Sequence, residues 1–161
     1  MSDRAVPGLT LRTAVPSDLP GLRHVYRTAS LSNAGDAPML LARPEFLHFA
    51  GDGVAAGRTV AALAGPPGEG RIVGFATVVA GPDGELELDD LFVDPGWQRR
   101  GIARRLVAWI AGTARAAGHR RLWVTGNPHA LAFYRAAGFA EVGRIGTELG
   151  EGLRMSLDLT R

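Results

Sequence analysis

The segment Gln98-Arg99-Arg100-Gly101-Ile102-Ala103-Arg104-Arg105 carries the strongest chemical signal in the chain. It follows an apolar stretch that ends at Val93 and opens a run with helical periodicity. A helix start presents backbone N–H groups without intrahelical partners, together with the positive end of the helix dipole. Gly101 and Ala103 are small enough for a ligand to approach that backbone. Arg99, Arg100, Arg104 and Arg105 crowd the same end. Cations at this position oppose the dipole, at a cost of roughly 0.3–1 kcal/mol each where exposed. A polyanion such as a pyrophosphate in the turn reverses that cost, so the spacing points to an anion site. A solvated surface in an arginine-biased chain would show the same residues.

No G-x-x-x-x-G-K-[S/T] occurs, which argues against a P-loop. Gly51-Asp52-Gly53 with Gly57 misses a dinucleotide fingerprint by one residue and precedes a strand, so it reads as a loop. Glu85, Glu87 and Asp89 alternate along one face of an expected strand, opposite Leu86 and Leu88. Asp90 breaks the alternation and suggests a bulge. His24, His48, His119 and His129 lack metal-ligand spacing, and no metal site is expected.

The elements that must position these groups follow from patterning. Residues 9–13 alternate and predict a first strand. Pro16-Ser17-Asp18-Leu19-Pro20 predicts a helix entry capped by Ser17 or Asp18, with Leu22, Val25 and Tyr26 on one side of the helix. Residues 30–38 read as a polar loop, and residues 43–49 as a second short helix with Phe46 and Phe49 at helical spacing. Strands are expected over 59–64 and 72–80, separated by a turn at 65–70. Pro82-Asp83-Gly84 predicts a hairpin joining 72–80 to 85–93. A long helix is expected from 101 to 117, burying Ala103, Leu106, Val107, Ile110 and Ala114 and stopped by Gly118. The apolar strand 122–125 returns through that crossover and should run parallel to the strand ending at Val93. A last helix carries Ala130, Leu131, Phe133 and Tyr134 and closes at Gly138, and residues 140–145 and 153–159 form a final hairpin. Trp97, Trp109 and Trp123 read as packing residues. The order βαα, βββ, αβα, ββ describes a mixed α/β sheet with helices on its faces, and 161 residues suit one domain.

Composition narrows the classes further. Hydrophobic residues at 46% and charged residues at 21% fit a globular protein. The longest apolar runs are too short for a membrane span, so no membrane partner is expected. Met1-Ser2-Asp3-Arg4 lacks the apolar region of a secretory signal, which makes the cytoplasm the expected location. The absence of cysteine excludes disulfides, thiolate metal sites and a cysteine nucleophile. The net charge is +2, from 18 basic and 16 acidic residues, and every basic residue is arginine. The pI near 9.9 therefore reflects guanidinium chemistry rather than a large charge at neutral pH. Nucleic-acid binders carry a pronounced basic excess, and nucleic acid is not an expected partner.

Leu88-Asp89-Asp90-Leu91-Phe92-Val93-Asp94-Pro95 followed by Gln98-Arg99-Arg100-Gly101-Ile102-Ala103 resembles motif A of the GNAT family of N-acetyltransferases, whose pattern is Gln/Arg-x-x-Gly-x-Gly/Ala. Asn127-Pro128-His129-Ala130-Leu131-Ala132-Phe133-Tyr134-Arg135-Ala136-Ala137-Gly138-Phe139 resembles the family's motif B. The element order fits from about residue 9 to residue 159. The resemblance implies a mostly antiparallel mixed sheet with a splayed parallel pair, the strands ending at Val93 and Thr125, and helices on both faces. It implies acetyl-CoA as cosubstrate. Gln98, Arg99, Arg100, Gly101, Ile102, Ala103 and Arg104 would wrap its pyrophosphate. Leu91, Phe92 and Val93 would pair with the pantetheine arm, Asn127 would hydrogen-bond near it, and Phe133 and Arg135 would lie toward its outer parts. Tyr134 matches the family's general acid. Asp89 or Asp90, with Glu87 next, matches the carboxylate that takes the amine's proton, and acids there would attract a cationic acceptor. Leu88–Val93 is locally similar to the corresponding strand of small-amine acetyltransferases. The implied reaction is direct attack by a primary amine of a small molecule or a protein N-terminus, in a monomer or homodimer. The alternatives are a non-catalytic acyl-CoA sensor and an arginine-based nucleic-acid module.

Overall fold

The computed structural model of the chain describes residues 8–32, 35–66, 68–147 and 150–160. Residues 1–4 and positions 33–34 of the expected 30–38 loop lie outside them. The strands are β1 (Thr10–Thr13), β2 (Thr59–Ala64), β3 (Arg71–Ala80), β4 (Leu86–Val93), β5 (Arg121–Gly126), β6 (Ala140–Thr147) and β7 (Gly150–Asp158). The helices are α1 (Leu19–Leu31), α2 (Ala37–Ala42), α3 (Asp52–Ala55), α4 (Ile102–Ala116) and α5 (Leu131–Ala136). The strands form one seven-stranded sheet in the order β1-β2-β3-β4-β5-β7-β6. β1 pairs antiparallel with β2, β2 with β3, β5 with β7, and β6 with β7. β4 and β5 are parallel, in register from Leu86↔Leu122 to Leu88↔Val124, as the helical crossover requires.

The chain forms two compact units, one of the described residues up to Thr77 with Asp90–Leu106, the other of Val78–Asp89 with the described residues from Val107 onward. In the first, Leu22 and Val25 of α1 are fully buried with Ala14, Phe49, Val54, Ala61, Ile72 and Phe75, and Tyr26 and Phe92 pack against this cluster. Burying a side chain the size of Leu22 or Val25 contributes about 1.5–3 kcal/mol. In the second, Leu88, Leu122, Val124, Leu153 and Met155 are buried, the alternate residues of three neighbouring strands. The hairpin between β3 and β4 closes through Gly81 N–H to the Glu85 carbonyl at 2.7 Å.

Several boundaries differ from the sequence-based expectation for local reasons. The α1 entry is a 3₁₀ turn over Pro16–Asp18, and Asp18 does not cap α1 through its side chain. Its carboxylate turns back, accepting from Val15 N–H at 2.8 Å and from Arg12 Nη1 and Nη2 at 2.7 and 2.9 Å. The 30–38 stretch is mostly helix, because α1 runs on to Leu31 and α2 starts at Ala37. Residues 43–49 hold only a 3₁₀ turn over Pro44–Leu47, since Pro44 forces Arg43 out of the helical region to φ −130° and ψ 72°. Residues 51–57, read as a loop, include the short α3. Ile102 rather than Ala103 leads the buried face of α4, and Trp109 is 42% exposed rather than packed.

The Arg12 hydrogen bond holds the Asp18 carboxyl below the usual carboxylate range, with burial working against it. A lowered folded value means that this contribution is present above the unfolded pKa and is lost as pH falls through the folded one. Asp18→Asn should cost roughly 1 kcal/mol at pH 7, a drop of about 2–4 °C in Tm. The gap to the parent should shrink on acidification. A thermal-melt series in which the gap stays constant to pH 2 would refute the assignment.

Candidate active site

The turn before α4 is built from the end of β4. Asp94 is buried, and its Oδ1 accepts from Gly96 N–H at 2.9 Å while Oδ2 accepts from Arg71 Nη2 at 2.9 Å. Its own N–H donates to the Val73 carbonyl at 2.8 Å, and Trp97 N–H donates to the Asp94 carbonyl at 2.8 Å. Gln98 Nε2 donates to the Val93 carbonyl at 3.5 Å, which ties the loop back to the strand. The chain then takes two left-handed residues, Arg99 at φ 62° and Gly101 at φ 78°. A non-glycine residue in that region costs about 1–2 kcal/mol, and such strain gathers at ligand-binding turns.

The first backbone bond of α4 runs from Arg105 N–H to the Gly101 carbonyl at 3.0 Å. The N–H groups of Ile102, Ala103 and Arg104 are therefore first-turn donors that no carbonyl of the helix can take. Arg99, Arg100, Arg104 and Arg105 are exposed around this end, and the Arg100 guanidinium lies 4.8 Å from the Trp97 ring centroid. Gly74 lets α4 approach β3: a Cβ there would meet Ile102 Cγ2 and the Phe92 carbonyl oxygen, each at 3.1 Å. Leu91 and Phe92 are half-buried and Val93 is buried. The Phe92 ring packs at 4.9 Å from Tyr26 and 5.6 Å from Phe75, which fixes the end of β4. This donor set suits a pyrophosphate: first-turn N–H groups that the helix itself does not bond, small residues beside them, and exposed arginines around them.

In the second unit, Tyr134 of α5 is 7% exposed. Its ring lies directly on Gly126, where a Cβ would meet Cε2 at 2.9 Å, and it packs edge-on against Phe133 and Phe139 at 5.2 and 5.3 Å. Among the described residues its hydroxyl has no hydrogen-bond partner. Burial pushes its pKa up to about 12. Asn127 starts this segment, its Oδ1 accepting from His129 N–H at 2.9 Å as the cap of a 3₁₀ turn over Pro128–Ala130. Arg135 is exposed and pairs with Glu141 at 3.3 Å.

Glu87 and Asp89 of β4 fall on the opposite face. Leu88 is in register with Val124, and Gly126 continues that face toward Tyr134, whereas Glu87 is in register with Trp123. Glu85 accepts from the N–H groups of Arg120 and Arg121 at 3.0 and 3.2 Å, securing the start of β5. Glu87 accepts from Arg154 Nη2 at 2.9 Å. Asp89 is exposed on one side, yet its carboxyl loses enough water for its pKa to rise, and the charge of Glu87 adds to the rise. Asp90, half-buried, belongs to the first unit. Among the described residues no group of three or more His, Asp or Glu could hold a metal ion, and no helix is long and apolar enough to cross a membrane.

Sequence reasoning missed Asp94, Arg71, Gly74, Gly126 and Arg154. Asp94 carried a signal in its Asp-Pro-Gly context, because an Asp side chain commonly binds the N–H two residues on. The others show their importance only through register and contact.

A model of the Acetyltransferase (GNAT) family matches residues 22–139. The chain belongs to the GNAT family. Among curated proteins, this GNAT chain is 36% identical over 74 residues to an uncharacterized N-acetyltransferase of Mycobacterium tuberculosis, covering 44% of the chain and 47% of that protein. It is 39% identical over 77 residues to the N-alpha-acetyltransferase RimI of the same organism, covering 46% of the chain and 49% of RimI. The chain thus spans about half the length of the curated relatives it matches. Among solved structures, PaiA N-acetyltransferase from Thermoplasma acidophilum, in complex with coenzyme A, superposes with a TM-score of 0.71 at 15% identity. That likeness covers 93% of this chain and 98% of PaiA and concerns the fold.

Proposed function

We propose that this GNAT chain transfers an acetyl group from acetyl-CoA to a primary amine by direct attack. The observation that carries the reading is the turn from Gln98 to Arg104, where two left-handed residues, Arg99 and Gly101, lead into the first turn of α4. Two relatives support it: RimI is named an N-alpha-acetyltransferase, and the PaiA structure contains coenzyme A. Acetyl-CoA supplies the acyl group already activated as a thioester. The backbone of Gln98 to Arg104 would hold its pyrophosphate, with Arg99, Arg100 and Arg104 as counter-charges, and Leu91 to Val93 would present strand-edge groups to its arm. Asn127 and Phe133 are the further residues that the family resemblance assigns to the cosubstrate.

Within the chemistry, Asp89 takes the proton of the incoming ammonium. Its raised pKa makes it a stronger base than an ordinary aspartate. Asp90 is the second candidate for this role, and Glu87 is already engaged by Arg154. The Tyr134 hydroxyl donates a hydrogen bond to the departing sulfur. With a pKa of about 12, the hydroxyl is a weaker acid than a thiol, about 8.5 for a cysteine side chain, and complete transfer of its proton is uphill. Its role is accordingly to stabilise the thiolate as a donor. The acceptor is a cationic primary amine, on a small molecule or a protein N-terminus, drawn by the acidic face of β4.

Gly101→Val tests the turn. A β-branched residue is strained at φ 78° and adds bulk to the turn that leads into α4. Acetyl-CoA affinity by calorimetry should fall at least about tenfold, the equivalent of 1.4 kcal/mol. Unchanged affinity in a folded variant would remove the turn from the cosubstrate site. Free CoA release across an amine panel tests the reaction itself, and acetyl-CoA binding without release on any amine would favour a sensor.

A further inference from the structure

Arg154 of β7 meets three groups on the face that carries Glu87 and Asp89. Its Nη2 donates to Glu87 Oε1 at 2.9 Å and its Nη1 to Thr125 Oγ1 at 3.0 Å. The guanidinium carbon also lies 4.9 Å from the Trp123 ring centroid. The Arg154 side chain is 18% exposed and that of Glu87 24%, so the pair is sheltered rather than freely solvated. Register explains the meeting: Glu87 pairs with Trp123, Thr125 pairs with Arg154, and all four belong to the same face. A planar guanidinium can grip a carboxylate and a hydroxyl with two nitrogens while stacking on an indole, and an ammonium cannot. Glu87 is therefore held in one place, two residues along the strand from Asp89, about 6.7 Å away at strand spacing.

We propose that Arg154 is a positioning residue for amine acylation: it pins Glu87 beside Asp89, so that Glu87 is the standing anion that receives the acceptor's ammonium and Asp89 is the carboxylate that takes its proton. The inference rests on the reading of Asp89 as the base. Two chemically similar acids placed in different environments can divide such work. Other charged groups among the described residues of these strands have their own partners. Glu85 is bound by the backbone of Arg120 and Arg121, with His119 Nδ1 at 3.5 Å. The Arg121 guanidinium carbon lies 6.0 Å from the Trp123 ring centroid, and Arg121 is in register with Asp158, whose carboxylate accepts from Thr160 N–H at 2.8 Å. The β3 segment Val78–Ala80 contributes no ionisable side chain.

The test is the pH dependence of kcat/KM with acetyl-CoA and a single cationic amine, so that the acceptor's own titration is common to every variant. The set comprises the parent, Glu87→Gln, Arg154→Met, Arg154→Lys and the Glu87→Gln/Arg154→Met double variant. Loss of the Glu87 charge should move the enzyme's acid limb to lower pH by about one unit, and loss of the Arg154 charge should move it to higher pH. Arg154→Met should raise KM for the amine at least about tenfold. The double variant should show little further loss beyond Glu87→Gln, because the two residues act as one device. Arg154→Lys should keep the limb close to the parent while still raising KM, and it serves in place of Arg154→Met if that variant does not fold. An unmoved limb and KM in the arginine variants, or fully additive losses in the double variant, would overturn the proposal. Parental activity in Asp89→Asn would instead overturn the base assignment, and the coupling between Arg154 and Glu87 would still be read from the double variant's KM.

Discussion

Tyr134→Phe lowers kcat by about two orders of magnitude and leaves the affinity for acetyl-CoA within about twofold of the parent; this is the expected result of removing one donor from the developing thiolate. The substitution is clean because the ring, not the hydroxyl, makes the contacts that hold the side chain. Gly126, Phe133 and Phe139 all touch the aromatic carbons, and phenylalanine keeps them. The folded state should lose nothing, since the hydroxyl has no partner among the described residues. Because burial puts the Tyr134 pKa at about 12, its ionisation adds no alkaline limb to the parent's profile below about pH 11. Steady-state kinetics and calorimetry separate the two quantities. A parallel loss in kcat and in affinity would mean that Tyr134 supports binding rather than the chemical step.

Asp89→Asn is the second large effect, and it has two parts of opposite sign. Removing a general base typically lowers turnover by about 10²–10⁴-fold. Stability should move the other way. Partial burial and the neighbouring Glu87 charge raise the Asp89 pKa in the fold. A raised folded value means that the protonated form is favoured in the native state. Stability is then fully present below the unfolded pKa and declines as pH rises through the folded one. At pH 7 the ionised carboxylate is a net cost, and a neutral amide removes it. The variant's Tm should therefore equal or exceed the parent's at neutral pH, and the two should converge in acid. A functional residue whose loss stabilises the protein is the usual signature of a site shaped for chemistry. Activity within twofold of the parent, or a lowered Tm at pH 7, would contradict the assignment.

The elements that carry the site were legible because their signals are local. The parallel placement of β5 beside β4 follows from one apolar strand, one periodic helix and another apolar strand. Gly118 ends α4 with φ 88°, as its position after the last periodic residue suggests. Residues 30–49 were misread because proline placement decides the boundaries there, whereas the apolar side of α1 with Leu22 and Val25 was legible. The site shows the same division. The turn at Gly101 and the alternation of Glu87 with Asp89 are written in consecutive residues. What anchors them is not. Arg71 reaches Asp94 across 23 residues, and Arg154 reaches Glu87 across 67. No pattern within a window of sequence reports such pairs, because they depend on strand register. Trp109 shows the converse: residue type suggested packing, but its place on the outer side of α4 leaves it 42% exposed.

The arginines around the start of α4 bear on how a protein with the proposed activity would survive its own reagent. A thioester acylates any accessible neutral amine, slowly without a catalyst and faster when held nearby. A lysine beside the cosubstrate would in time become an amide, and the positive charge that drew the phosphates would be erased. Guanidinium groups stay protonated at every physiological pH and offer no comparable nucleophile. Under the function proposed above, Arg99, Arg100, Arg104 and Arg105 would be counter-charges that a bound thioester does not consume, and a sequence whose 18 basic residues include no lysine offers no side-chain amine to self-acylation.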